Sequence, residues 1–179
     1  GCQQRLARSI NFGNMLDHAR EGLAGPMLRD EFITLTAQAG FTAIRLPVRW
    51  DARAGYQPPY RIDPAFFERV DGVVRLALEH KLAIVLDMHH YAAMMLEPVI
   101  ERERFLTIWR QVAEHYRDAP ATVMFELLNE PNRELTRARW NEALAAVLPV
   151  IRSSNPQRTL IVGGGDWNSG PALDSLALP

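Results

Sequence analysis

The sequence predicts an α/β fold: a (β/α)8 TIM barrel of which about the first five βα units lie within these 179 residues. Three observations predict it. A strand-then-helix unit recurs, with strand starts separated by roughly 35–40 residues, the range for βα units joined by modest loops. The strands are rich in β-branched and aliphatic residues with little alternation, as expected of a parallel sheet covered on both faces. Polar residues cluster just after the strand ends, where barrel sites are built.

The elements follow in order. Ser9-Ile10-Asn11-Phe12 is the first apolar run. Arg29 to Ala39 carries Phe32, Ile33, Leu35 and Thr36 at helical spacing and stops at Gly40, a natural C-terminal cap. Ala43 to Val48 is the second strand, and Asp63-Pro64 supplies a cap and a first-turn proline for a helix reaching about His80. Leu82 to Met88 is the third strand. Phe105, Ile108, Trp109, Val112 and Tyr116 form one apolar stripe of the next helix, while Glu101-Arg102-Glu103-Arg104 alternates in sign as a solvated helix face does. Val123 to Leu128 is the fourth strand, Thr136 opens a helix ending before Ser153-Ser154-Asn155-Pro156, and Leu160-Ile161-Val162 is the fifth strand.

The rival architecture is an open doubly wound sheet, which announces itself with a Gly-rich turn after its first strand. Phe12-Gly13-Asn14 offers one glycine, and Gly163-Gly164-Gly165 follows the fifth strand with no Lys-Ser/Thr behind it. A barrel needs eight strands and about 250 residues. A five-strand arc would leave two unpaired edges, so the remaining units are expected in the same longer chain, or else in a second chain. No composition break divides the sequence, and residues 1–179 read as one partial barrel domain.

Composition narrows the function classes. Residues are 47% hydrophobic and 23% charged, enough for a core, and 20 Lys plus Arg balance 21 Asp plus Glu. No basic run grips phosphates, so nucleic acid is not an expected partner. No apolar segment approaches the ~18–20 residues that span a bilayer, so no membrane is expected either. The one cysteine, Cys2, excludes an internal disulfide framework and a Cys-based metal site. Gly1-Cys2 is either the scar of a bacterial lipoprotein signal or a chance cysteine in a trimmed terminus.

The most informative segment is Phe125-Glu126-Leu127-Leu128-Asn129-Glu130-Pro131-Asn132. A buried strand ends there by presenting an amide beside a carboxylate. Pro131 is expected to hold the exit extended, because the residue before proline is pushed out of the helical region. A carboxylate at the end of an apolar strand sits where desolvation favours its protonated form, the state a general acid needs. The alternative is a solvated loop Glu. The other strand ends add to the constellation: Asn14 after the first, Arg45 within the second, and His89-His90 closing the third.

With these residues the sequence resembles glycoside hydrolase family 5, the cellulase-type retaining barrels. The matching motifs are Ile10-Asn11-Phe12-Gly13-Asn14, Ile44-Arg45-Leu46-Pro47-Val48-Arg49-Trp50, Leu86-Asp87-Met88-His89-His90-Tyr91 and Phe125 to Pro131, joined by Arg102 to Arg110. The resemblance implies that Glu130 is the general acid/base and that Asn129 hydrogen-bonds the sugar 2-hydroxyl. It implies that Arg45 keeps the nucleophile's carboxylate ionised, and that His89, His90 and Asn14 contact the sugar. Trp167 and Trp50 are sugar-stacking candidates, each with a packing tryptophan as the alternative reading. Arg45 has a compatible alternative, neutralising Glu126, and Asn14 another, a turn beside Gly13. Metal ligation by the His pair is disfavoured, because adjacent strand residues point to opposite faces and no His-Glu-x-x-His or cysteine accompanies them. No metal and no cofactor are expected.

Retention needs two carboxyl groups about 5–5.5 Å apart. Glu126 shares the strand face of Glu130, but four residues at ~3.3 Å put their backbones about 13 Å apart. Asp51, Asp87 and Asp166 match no nucleophile motif. In the family the nucleophile Glu lies on strand seven, beyond Pro179. The resemblance therefore implies an endo-β-1,4-glucanase acting on a β-linked polysaccharide or oligosaccharide, inactive in this piece alone. An endo-β-1,4-mannanase is the rival of the same family, and a non-catalytic sugar-binding fragment the rival of another class. Secretion, from a bacterium, follows from a substrate too large to enter cells.

Overall fold

The computed structural model describes residues 2–23 and 25–178; the side chains of residues 2 and 3 lie outside that description, and with them the lipoprotein reading of Cys2. Five parallel strands, β1 (Ser9–Asn11), β2 (Ala43–Val48), β3 (Ala83–Met88), β4 (Val123–Glu126) and β5 (Leu160–Ile161), pair in chain order. Helix α1 (Cys2–Leu6) precedes β1, and the α-helices between the strands are α2 (Asp30–Gln38), α3 (Pro64–Glu79), α4 (Ala92–Leu96), α5 (Pro98–His115) and α6 (Arg137–Arg152). The strand-then-helix order predicted from periodicity is present throughout. β4 and β5 are shorter than their apolar runs, although Leu127 N–H still donates to Ile161 C=O and Asn129 N–H to Met88 C=O.

The local signals act as expected. Asp63 accepts a hydrogen bond from Ala65 N–H and Pro64 occupies the first turn of α3, which buries Phe66, Val70, Val73, Val74 and Ala77 on one face. Thr136 caps α6 through Arg139 N–H. One reading is corrected: Arg104 is not on a solvated face. It is 4% exposed and donates to the carbonyls of Asp51, Ala54 and Gly55 and to the Tyr91 hydroxyl. Sign alternation did not reveal this, because the acceptors are backbone groups of a loop some fifty positions away.

The two faces of the sheet differ. Ile44, Leu46, Val48, Ile84, Leu86, Met88, Val123, Phe125 and Leu127 face the helices and join the main core, which includes the fully buried Trp109 and Trp140. The opposite face carries a small apolar layer, Ala43, Ala83, Val85 and Met124 with Leu6 and Ile161 against it. Further along the same strands, towards their C-terminal ends, that face turns polar with Asn11, Arg45, Asp87 and Glu126. Period-two alternation alone assigns these residues to one side, and pairing of Asp87 with Glu126 sets two carboxylates beside each other.

The loop between β1 and α2 is tied down by one ion pair. Arg69 of α3 donates to both carboxylate oxygens of Glu21 (2.9 and 2.7 Å) and to Leu28 C=O, while Leu28 N–H donates to Glu21. Burial raises the Glu21 pKa, but the Arg69 and Leu28 bonds outweigh it and hold it below its ordinary value of 4.5. A pKa depressed on folding adds stability above the unfolded value and loses it as pH falls through the folded one. The Glu21→Gln variant should therefore melt below the wild type at pH 7, with the gap closing below about pH 4. A melting difference independent of pH would contradict the charge account.

Candidate active site

The polar layer is organised by Arg45. Its guanidinium donates to both oxygens of Glu126 (2.7 Å each), to Asn129 Oδ1 (2.9 Å) and to Asn11 Oδ1 (2.8 Å), and lies 2.9 Å from Asp87 Oδ2. Burial opposes the Arg45 charge, but the Glu126 bond and the charges of Asp87, Glu126 and Glu130 prevail and hold its pKa above the ordinary value. Asp87 is fully buried. Burial raises its pKa, to about 6, with Glu126 adding to the rise and His89 and Arg45 opposing it. The reading of Arg45 as the counter-charge of Glu126 is what the geometry contains. Because Arg45 holds Asn129 Oδ1, the amide nitrogen of Asn129 is the half left to serve a ligand.

His89 extends this layer. Its Nδ1 bonds Asp87 Oδ2, and its Nε2 stands 4.0 Å from Asp17 Oδ2 on the loop after β1. Asp17 in turn accepts the N–H of Asn14 (3.0 Å). His90 lies past the end of β3 at φ 55°, and this left-handed backbone brings its ring to 4.3 Å from that of His89, edge to face. The opposite-faces argument for the pair thus fails, since alternation stops where the strand does. Burial and then the neighbouring His89 hold the His90 pKa below its ordinary value, with Asp17 opposing.

Beside this layer opens a cleft of about 490 Å³ lined by Arg49, His90, Met95, Asn129, Glu130 and Trp167, among others. Its volume is that of a small-ligand pocket. Glu130 is exposed on its rim, so the apolar strand does not desolvate it in this chain. Its backbone is also not extended: φ is 47°, left-handed despite the following proline, and its carbonyl accepts from Asn132 Nδ2 (2.6 Å). Trp167, 58% exposed, sits in a left-handed turn of Asp166, Trp167 and Asn168. That turn is fastened by Trp167 N–H to Pro131 C=O and by Arg137 to Asp166 (2.7 Å). Gly163 makes room for it, since a Cβ there would fall 2.0 Å from Asn168 Oδ1.

Of the sequence-predicted residues, His90, Asn129, Glu130 and Trp167 line the cleft; Arg45 and His89 belong to the charged layer beside it. Asn14 is exposed on the loop after β1 and does not line the cleft. Of the two readings of Trp50 the structure contains the packing one: it is fully buried, its ring 5.6 Å from Phe66 and 5.4 Å from Phe67. Sequence reasoning gave no role to Asp17 or Arg49, and weighed Asp87 only as a nucleophile and not as the partner of His89 and Arg45. For Asp87 a signal existed, its position two residues before His89 on one strand face.

Non-glycine residues at positive φ gather at these strand ends: Asn14 after β1, His90 after β3, Glu130 after β4, and the turn 166–168 after β5. Such conformations cost about 1–3 kcal/mol each and concentrate at functional sites.

The family model for cellulase (glycosyl hydrolase family 5) matches residues 10–179. The chain belongs to glycosyl hydrolase family 5. Endoglucanase H of Acetivibrio thermocellus is 32% identical over 176 residues, 98% of this chain and 20% of that protein. Endoglucanase Cel5A of Thermotoga maritima superposes with a TM-score of 0.96 at 42% identity, over 99% of this chain and 58% of that one. Structures titled as Thermotoga maritima Cel5A with cellobiose and with mannotriose superpose at TM-scores of 0.97 and 0.95, with 44% and 42% identity, and the chain covers 99% of itself and 57% and 58% of them. The chain thus spans under two thirds of these family 5 structures, and its five-stranded sheet is part of a family 5 barrel.

Proposed function

We propose that this chain carries the acid/base half of a retaining endo-β-1,4-glucanase. The observation that carries the reading is the pair Asn129-Glu130, held side by side at the end of β4 on the rim of a cleft that also contains His90 and an exposed Trp167. Glu130 gives its proton to the departing glycosidic oxygen as a carboxylate nucleophile, supplied from outside these residues, bonds the anomeric carbon. Glu130 then takes a proton from the water that breaks that bond and frees the sugar. Asn129, oriented by Arg45, donates to the 2-hydroxyl; His89, His90 and Asn14 serve the same sugar, and Trp167 offers its face to the next. Arg45 keeps the carboxylate layer charged and ordered. Residues 1–179 form part of one catalytic barrel domain, completed by the remaining barrel units, and the enzyme is secreted. Among the described residues no helix is long and apolar enough to cross a membrane.

The test is proton NMR of the first products released from cello-oligosaccharides by the intact protein. The β-anomer should appear first, and initial release of the α-anomer would overturn retention. An endo-β-1,4-mannanase is the second reading, favoured by the mannotriose complex of a similar protein. Comparison of kcat/KM on soluble β-1,4-glucan and on mannan decides between them, with glucan expected to be preferred. The Trp167→Ala variant should raise KM for cello-oligosaccharides about tenfold, equivalent to about 1.4 kcal/mol, with kcat little changed; an unaltered KM would remove Trp167 from the sugar path.

A further inference from the structure

We propose that Asp17, His89 and His90 form a binding site for a divalent cation of the zinc class, joining the loop after β1 to the end of β3. One donor atom from each of the three lies within 4.8 Å of the other two. Zinc–nitrogen and zinc–oxygen bonds of about 2.0–2.2 Å need only modest closing of these side chains.

The donors are prepared for this in different ways. An ionised carboxylate only accepts, so the bond from His89 Nδ1 to Asp87 fixes the ring hydrogen on Nδ1 and leaves the Nε2 lone pair facing Asp17 Oδ2, 4.0 Å away. A carboxylate holding the far nitrogen of an imidazole is the usual outer partner of metal-binding histidines. Asp17 supplies an independent observation. It is 3% exposed, its Oδ2 accepts the N–H of Asn14, and its Oδ1 has no partner. A buried carboxylate oxygen without a partner is costly, and a cation removes that cost. His18 Nε2 is likewise buried without a partner, and its ring lies 6.2 Å from that of His90. It stands near enough to be a fourth donor after a rotamer change.

Two imidazoles and one carboxylate suit zinc, cobalt or nickel rather than magnesium or calcium, which prefer oxygen ligands alone. The ion would tie the loop after β1 to the end of β3, so it should raise thermal stability by an amount that grows with the logarithm of its free concentration above Kd.

The intact protein, freed of metal by a chelator, is titrated with zinc chloride in a calorimeter. One ion per chain is expected, bound at least tenfold more weakly by His90→Ala and by Asp17→Asn, and unchanged by His115→Ala, whose ring bonds Asp71 instead. Should Asp17→Asn fail to fold, cobalt chloride added to the unaltered protein gives the same information through a visible absorption band that zinc displaces one for one. A thermal midpoint that rises with zinc in the wild type and not in His90→Ala supports the site. No saturable zinc binding, or equal binding by wild type and His90→Ala, overturns it.

Discussion

Replacing Glu130 by Gln in the intact protein should lower kcat/KM on cello-oligosaccharides by about 10²–10⁴-fold, the usual worth of a positioned proton donor. At 1.36 kcal/mol per factor of ten this is about 3–5 kcal/mol of lost transition-state stabilisation. The substitution keeps size and hydrogen-bonding capacity but has no acidic proton. Its signature is therefore a dependence on leaving group. An aryl cellobioside whose phenolate departs unaided should keep most of its first-step rate, after which the sugar–enzyme intermediate accumulates, since the substituted amide cannot activate water. Added azide, which needs no general base, should restore turnover and yield the glycosyl azide. An equal loss with every leaving group, or no loss, would remove Glu130 from the role of proton donor.

The largest effect on stability is expected from Arg45→Met. Arg45 is the cation that bonds Glu126 twice and touches Asp87, and those carboxylates are 8% and 0% exposed. Paired opposite each other on β3 and β4, they would be left without a counter-charge. Breaking a buried pair from one side costs about 3–5 kcal/mol, mostly through the uncompensated charge that remains. Urea unfolding of the intact protein measures it. Adding Glu126→Gln to Arg45→Met should recover part of the loss, because residues in contact do not contribute additively. Arg45→Lys should recover the charge but not the two-pronged grip on Glu126. A loss under about 1 kcal/mol would place the cluster among weakly coupled surface pairs.

Much of this was legible in the chain itself. The order of strands and helices follows from short apolar runs, the caps at Asp63 and Thr136, and the stripe on α5. The Asn129-Glu130 strand end and the His89-His90 pair stand out because polar residues interrupt apolar strands at matching places. The charged layer was harder to see. Arg45 meets Glu126 across 81 positions, and no local periodicity encodes which strands will be neighbours. Left-handed backbone at His90 and Glu130 was also hidden. Histidine is enriched there only relative to other non-glycine residues, glutamate is not, and the rule for a residue before proline pointed elsewhere at Glu130. Arg104 misled for a third reason: its partners are main-chain carbonyls, which leave no trace in residue identity.

The left-handed residues Asn14, His90 and Glu130 set a limit on engineering this protein for heat tolerance. Glycine would relax each of those backbones without moving the chain, so a search guided by melting temperature alone will favour it there. Each such gain would delete a side chain from the rim of the cleft or the loop beside it. Under the proposed function, durability and turnover are set against each other at the same few codons, and libraries aimed at the first should hold those codons fixed.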